Sequence, residues 1–431
     1  MHASRSAFAS LVLAPLIASQ ERALFDQPAI EHLVALSSSG FEAKPDIAAD
    51  RLTLYFASDQ AGGAGDLDLW RATRPSLTAP FGVQTNITEL NGAGRDHTPT
   101  TSADGLLMIY SSSRAGGLGT DDAWFTTRAS TSAPWNPPTN IPEISSSVRD
   151  MGFSMTPDGL TLYWTSNQGA FGGDFELYTS TRPDRSAAWS PPQPITELNT
   201  PWNDKFPSVT GDNLTMYFAS DRPGSVPNAL GAPSLDLWVA MRPTTSSPWT
   251  IVENVFEVNT ADSEYLMSIA DDGEELFFVS DRPGSLGLFD LYRVPAIPGV
   301  RRYGAGTDGE AGVPRLRPVG GPPQIGNPNW GYEITQVSPQ AFGFYIHSTG
   351  RAPGPLLVNL SALTVIPFQG PSPLNPPAAT PRLIPSPLPA SPALIGFTSH
   401  WQAIMAWDLR GRGTIAGVPF AASPAIAITF F

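Results

Sequence analysis

The sequence contains no cysteine. Disulfides and thiolate metal sites are therefore excluded, while export is neither contradicted nor required. Histidine is scarce, with five in 431 residues. His2 lies near the start, and His32, His97, His347 and His400 are scattered, so no pair has metal-ligand spacing. No nucleophile elbow is present, and each histidine reads as a structural residue. No apolar run is long enough to span a bilayer comfortably, so no transmembrane segment is expected. Cationic side chains are also in short supply: 25 Lys and Arg stand against 39 Asp and Glu, a net charge of −14. Residues 301–431 hold eight Arg against Asp308, Glu310, Glu333 and Asp408, hence +4, which leaves −18 on the first 300 residues. A surface this acidic repels phosphate backbones, which argues against a nucleic-acid partner.

What the chain does have is turns. With 45 Pro and 39 Gly at 41% hydrophobic content it reads as globular, and its length suggests two or three domains. The start, "MHASRSAFASLVLAPLIASQ", places Arg5 before an apolar run from Ala7 to Ala18 and a small-residue "IAS". That is the layout of a secretory signal peptide over residues 1–20.

One sentence of sequence recurs five times. "LTLYFASDQAGGAGDLDLWRATRPS" is followed by "LLMIYSSSRAGGLGTDDAWFTTRAS", "LTLYWTSNQGAFGGDFELYTSTRPD", "LTMYFASDRPGS…SLDLWVAMRPT" and "ELFFVSDRPGSLGLFDLYRVPA". Asp68, Asp122, Glu176, Asp236 and Asp290 mark equivalent positions, at steps of 54, 54, 60 and 54. A second acidic column, Glu42, Asp96, Asp150, Asp204 and Glu264, steps by 54, 54, 54 and 60. The longer step has a visible cause, since "SVPNALGAPS" lengthens the Gly turn of the fourth copy.

Each copy reads as four strands. The first ends in an Asp turn, and the second, of "LTLYFAS" type, suits burial on both faces. The third is of "DLWRATR" type. The fourth follows Phe81, Trp135, Trp189 or Trp249 through prolines to segments such as "ITELN". Four antiparallel strands repeated about every 50 residues describe a β-propeller blade, and no segment shows the 3.6-residue stripes of a helical solenoid. The fifth copy lacks its fourth strand. The segment around "QPAIEHLVALSSSGFE" supplies it, because Leu36 precedes Glu42 by six residues as Leu198 precedes Asp204. Closing the ring with the N-terminal strand removes an unpaired edge. The expectation is an all-β, five-bladed propeller over residues 21–299.

The consensus of these copies, roughly acidic-x-x-P-x-x-x-x-D-G-x-x-L-Y-F-x-S-D-R-x-G-G-x-G-x-x-D-L-W, resembles the WD-repeat-like β-propeller repeat of TolB and of envelope proteins related to peptidoglycan-binding lipoproteins. It covers residues 24 to 294. The resemblance implies an interaction platform at the cell envelope. After "VPAIPGVRRYGAGTDGEAGVP" the period disappears, and residues 300–431 show short alternating apolar runs between Pro-rich turns. That reads as a small β-sandwich. Its "PLPASPALIGFTSHWQAIMAWD" resembles a tail module of secreted bacterial proteins, often introduced by "GTGCxGSxG"; here "GAGTDGEAG" stands in its place, without the cysteine.

Candidate chemistry is sparse. "GGLGTDDAW" fits a calcium-coil nonapeptide once, but such coils need tandem nonapeptides, and a glycine turn is the better reading. The "SDR" corners at Asp59, Asp221-Arg222 and Asp281-Arg282 read as turns with Asp bonding backbone amides. Five-bladed propellers also include furanoside hydrolases, which need an acid and a base or nucleophile in a central funnel. Such a site must break the pseudo-symmetry, which the acidic columns keep. Glu31, Glu257, Asp262 and Glu275 lie outside the columns and leave this alternative open. The favoured reading is an exported, non-catalytic binding or scaffold protein, monomeric, in the periplasm, at the cell surface or secreted, with a protein or carbohydrate ligand. Glu42, Asp96, Asp150, Asp204 and Glu264 are expected to circle one mouth of the central channel. Either loop amides hold them or a cation does, and hard oxygen ligands would suit calcium.

Overall fold

The computed structural model describes residues 21–169, 171, 174–303 and nine shorter stretches beyond, all strands: 315–319, 331–335, 342–348, 364–369, 382–385, 398–406, 413–415, 418–422 and 425–429. The predicted leader lies outside the described residues. One compact unit covers Arg22–Pro298 and a second includes Gly299–Phe431.

The first unit is a ring of five antiparallel blades. Their innermost strands are Glu42–Ile47, Asp96–Thr101, Asp150–Met155, Asp204–Val209 and Glu264–Ile269. The second strands, such as Thr53–Ser58 and Leu107–Ser112, are buried almost throughout, as expected of strands packed between neighbouring blades. Their alternating aromatic and aliphatic residues fill both interfaces: Leu54, Phe56, Tyr110, Trp164 and Phe218 are all fully buried. Third strands such as Asp68–Thr73 pair in register with them, Ser58 opposite Asp68 and Thr53 opposite Thr73.

Three details depart from the sequence reading. The innermost strands begin at the acidic residue itself, not after it, because its N–H is already engaged by the preceding blade. Each then carries a bulge, with positive φ at Thr98, Gly152, Phe206 and Leu266. The outermost strands are short, only Thr85–Asn86, Thr139–Asn140 and Gln193–Pro194 in three blades. "ITEL" is a turn in which the Leu90 N–H donates to the Ile87 carbonyl at 2.9 Å, and both side chains are buried.

The closure is as expected. Glu31–His32 pairs with the strand Asp290–Tyr303, Glu31 opposite Arg293 and His32 opposite Tyr292, and the Leu33 N–H donates to the Leu291 carbonyl at 2.8 Å. A further N-terminal strand, Glu21–Phe25, also pairs there. Arg22, 2% exposed, bonds the Glu257 carboxylate and lies 3.9 Å from Glu253, which ties the N-terminal segment to the fourth blade. Away from the acidic columns, Arg74, Arg128, Arg182 and Arg242 lie 4.1–4.7 Å over the predicted aromatics Phe81, Trp135, Trp189 and Trp249. Arg128 and Arg242 also donate to the Tyr55 and Tyr163 hydroxyls of the preceding blade at 3.1 Å.

In the second unit, Val300–Tyr303 pairs with Ala425–Ile428, and that strand pairs with Thr398–Ala406, which pairs in turn with Phe342–Ser348. Arg315–Val319, Gly331–Thr335 and Arg382–Pro385 form a separate three-stranded sheet. The expected sandwich depends on connections that lie outside the described residues.

Candidate functional site

The first acidic column occupies five equivalent corners. Glu42, Asp96, Asp150, Asp204 and Glu264 are each 0% exposed. Each accepts the backbone N–H four residues earlier, from Ser38, Gly92, Ser146, Thr200 and Thr260, at 2.7–3.1 Å. Ser58, Ser112, Ser220 and Ser280 donate to four of them from the end of the second strand. In blades 2, 4 and 5 an arginine joins: Arg114, Arg222 and Arg282 reach Asp96, Asp204 and Glu264 at 2.6, 2.5 and 3.1 Å. Blades 1 and 3 have Gln60 and Gln168 there, and burial pushes the Glu42 and Asp150 carboxyls up. Burial raises Glu264 as well, against Arg282. Among the described residues no group of three or more His, Asp or Glu is arranged to hold a metal ion.

The second column caps the glycine turns. Asp68 accepts the Ala64 N–H at 2.7 Å, Asp122 that of Gly119 at 3.1 Å and Asp236 that of Val226 at 2.7 Å. The turn glycines answer two needs. Gly116 of "GGLGTDDAW" sits at φ +100, and a Cβ on Gly119 would lie 1.9 Å from the Val148 carbonyl oxygen of the adjoining loop. At the "SDR" corners Asp59, Asp221 and Asp281 accept the N–H groups of Phe41, Asn203 and Ser263 at 2.8–2.9 Å.

These corners join the blades. The N–H of each column residue donates to the preceding blade: Glu42 to Phe289, Asp96 to Leu67, Asp150 to Asp121, Asp204 to Phe175 and Glu264 to Leu235, at 2.7–3.0 Å. The backbone is thus five-fold repetitive, but the side chains at these joints are not. At the joint of blades 2 and 3, buried Asp121 accepts from Arg95 Nη2 at 3.0 Å and Arg149 Nε at 2.8 Å, with His97 Nε2 at 3.1 Å. Burial alone would raise Asp121, but His97, Arg149 and Arg95 hold it down at about 2. The joints of blades 1 and 2 and of blades 4 and 5 carry Leu67 and Leu235, and the remaining two are aromatic. Phe41 meets Phe289 edge-on at 5.6 Å, Phe289 meets Tyr265 at 4.9 Å, and Tyr265 lies 5.8 Å from Phe206. Lys205 Nζ sits 4.8 Å over the Phe175 ring.

Below these joints the channel is closed. Lys44 crosses from the innermost strand of blade 1 and donates to the carbonyls of Phe153 in blade 3 and Pro207 in blade 4. One residue pair further along, side chains link blade to blade all the way round. Ser268 accepts the Ile47 N–H, Thr100 that of Met155, Ser154 that of Val209 and Ser208 that of Ile269, at 2.9–3.2 Å. Asp46 completes the circuit by accepting from Thr101 at 2.8 Å, a carboxylate where the other blades use a hydroxyl. Burial pushes Asp46 up and Lys44 down, and each charge opposes the other's shift.

The lengthened turn of blade 4 adds a groove of about 510 Å³, lined by Asp221, Leu230, Pro233, Asp262, Ser263 and Asp281. Leu230 is 93% exposed. Of the other carboxylates outside the columns, Glu31 pairs with Arg293, Glu275 with Arg74 and Arg293, and Glu257 with Arg22. His32 Nε2 lies 2.7 Å from Asp290, and its ring stacks on Tyr292. Sequence reasoning missed Lys44, Asp46 and the Asp121 cluster. Their signal was departure from the repeat: Asp121 stands where the other copies have Leu67, Phe175, Leu235 and Phe289, and Lys44 where they have Thr98, Gly152, Phe206 and Leu266.

No family model and no curated protein matches the chain. Among solved structures it is similar to TolB from Acinetobacter baumannii, 14% identical over 65% of this chain and 64% of that one, TM-score 0.40. It is also similar to an α-L-arabinofuranosidase from Podospora anserina in complex with cellotriose, 14% identical over 65% and 97%, TM-score 0.40. An exo-β-1,3-galactanase from Phanerochaete chrysosporium with galactose is 9% identical over 91% and 99%, TM-score 0.40.

Proposed function

We propose that this protein is an exported, non-catalytic propeller that binds a protein or carbohydrate at the cell envelope or outside the cell. The observation that carries the reading is where the pseudo-symmetry holds and where it breaks. Carboxylates that repeat are buried on backbone amides and serve the joints. Side chains that do not repeat gather at one end of the ring, above a channel that Lys44 closes. Hydrolysis in a funnel needs two carboxyl groups about 5 to 9 Å apart and open to substrate. Asp46, further along the innermost strand of blade 1 than the buried Glu42, is committed to Thr101 and the neighbouring Lys44. A partly exposed surface of arginines and aromatics over a filled core suits binding instead. Among the described residues no helix is long and apolar enough to cross a membrane.

The test is a direct comparison of retention and turnover. The full chain is probed on an array of envelope proteins and cell-wall glycans and, in parallel, incubated with aryl furanosides. Retention of a ligand without turnover is the expected result. Furanoside turnover that vanishes in Asp46→Asn would replace this reading with a hydrolase.

A further inference from the structure

Resting on the binding reading above, we infer that the joint of blades 2 and 3, with the aromatic side chains of nearby joints, binds a carboxylated sugar ring. Two arginines share one carboxylate here. Arg149 bonds Asp121 through Nε and Arg95 through Nη2, and their side chains remain 36% and 31% exposed. A single arginine would neutralise Asp121, which His97 also contacts. The two guanidinium groups share one carboxylate, so each keeps N–H groups that Asp121 does not take, on a chain whose first 300 residues carry −18. Asp121 fixes both forks, and a planar fork with free N–H groups is the group that recognises a carboxylate with two parallel bonds.

Going round the ring, the Asp121 joint has Phe175 of the joint of blades 3 and 4 on one side and the Leu67–Arg95 bridge of blades 1 and 2 on the other, with Phe41 at the joint after that; Leu67, Phe41 and Phe175 are partly exposed. Beyond Phe41 the rings of Phe289 and Tyr265 continue the apolar surface. An apolar ring face beside a carboxylate fork fits a flat ligand with one hydrophobic side and one acid group, which a uronic acid supplies. A peptide carboxylate fits less well. Adding a strand needs free backbone amides, and the N–H groups of Glu42, Asp96, Asp150, Asp204 and Glu264 are already spent between blades. Lys205, above Phe175, stands near Asp221 and Asp174, so its charge is partly balanced and the arginines are the anchor.

The same carboxylated ring can be free or terminal on a glycan, so both are tested by calorimetry on the full chain. The probes are galacturonate, glucuronate and their trimers, with galactose, glucose and acetate as controls. Uronates should bind at least tenfold more tightly than the neutral sugars, and addition of 0.5 M salt should weaken them. Trimers that bind far better than monomers identify a chain end as the source; equal binding identifies the free acid. Arg149→Gln, titrated below its own melting midpoint, should weaken uronate binding tenfold or more, and Arg149→Lys, which keeps the charge beside Asp121 but not the planar fork, should weaken it too while holding the midpoint nearer the parent's. Phe175→Ala should weaken the uronates but not acetate. Neutral sugars binding as tightly as uronates, Arg149→Gln binding unchanged, or a Glu-rich peptide binding more tightly than any uronate would each overturn the inference. If the array retains another ligand while uronates fail, the binding reading stands and only this ligand falls.

Discussion

Between blades 2 and 3 the Asp150 N–H donates to the Asp121 carbonyl at 2.8 Å; between blades 5 and 1 the Glu42 N–H donates to the Phe289 carbonyl at 3.0 Å. The backbone device is the same, and a parallel bridge marks both joints. Above it, one joint is a buried carboxylate shared by Arg95, Arg149 and His97, and the other is three aromatic rings packed edge to face. Each solution stabilises differently. Desolvating Asp121 costs several kcal/mol that only its donors offset, so the joint is strong while complete and weak once one partner is missing. Aromatic edge contacts add about 0.5–1.5 kcal/mol each beyond their buried area and fail gradually. The repeated backbone lets side chains at the joints differ, and that freedom is what a binding surface requires.

The largest effect should come from opening the ring, which removes both kinds of joint from play. Deleting residues 21–36 strips Glu31–His32 from Asp290–Tyr303 and leaves Glu257 without Arg22. An exposed strand edge and the loss of a buried ion pair then come together. The expected outcome is aggregation or no cooperative unfolding, followed by light scattering and circular dichroism. A truncated chain that melts like the parent would show that closure contributes little.

Next comes the comparison itself. Asp121→Asn should cost about 3 kcal/mol in urea unfolding at neutral pH, the range for removing one partner of a buried ion pair. Phe289→Ala should cost about 2 kcal/mol, since the ring is only partly buried. The two should separate with pH. Asp121 titrates at about 2 in the folded protein against an ordinary 3.8. Its contribution is therefore complete above the ordinary value and lost as pH falls through about 2. The Asp121→Asn deficit should shrink on acidification while the Phe289→Ala deficit stays. Deficits that run parallel from pH 7 to pH 3 would deny the carboxylate its role.

How far these joints could be read beforehand follows from the repeat. Five copies in register fix strands, blade number and closure, because hydrophobic alternation and turn residues are local signals. The equivalence of Leu36 and Leu198 was enough to place the closing strand. The acidic columns were legible as positions but not as environments. Glu42 and its equivalents line up in sequence, yet their burial depends on Ser38, Ser58 and the preceding blade, contacts that no single strand displays. The surface at the joints was least legible, since it is made of residues that break the repeat and are brought together only when the ring closes. Arg95 and Arg149 are 54 positions apart in sequence and meet on one carboxylate.

The smallest expected effect tests whether the corners are interchangeable. Blades 2, 4 and 5 place Arg114, Arg222 or Arg282 between a carboxylate, a carbonyl and two aromatic rings. Blade 1 has the equivalent parts in Glu42, Leu36, Phe56 and Trp70, with Gln60 where the arginine would stand. Burial raises the Glu42 carboxyl, and no arginine offsets it. Gln60→Arg should therefore stabilise the protein by about 1 kcal/mol, the scale of a charge-assisted bond with partial desolvation cost. The sign has a pH signature. An arginine favours the ionised carboxyl, so the gain should be present at pH 7 and fade as Glu42 is protonated on acidification. Urea midpoints of Gln60→Arg and parent at pH 7 and pH 4 measure both. A gain that is equal at the two pH values would mean that the arginine acts by stacking on Phe56 and Trp70. A loss at pH 7 would mean that the first blade's corner is shaped for glutamine, and that the five corners are not equivalent.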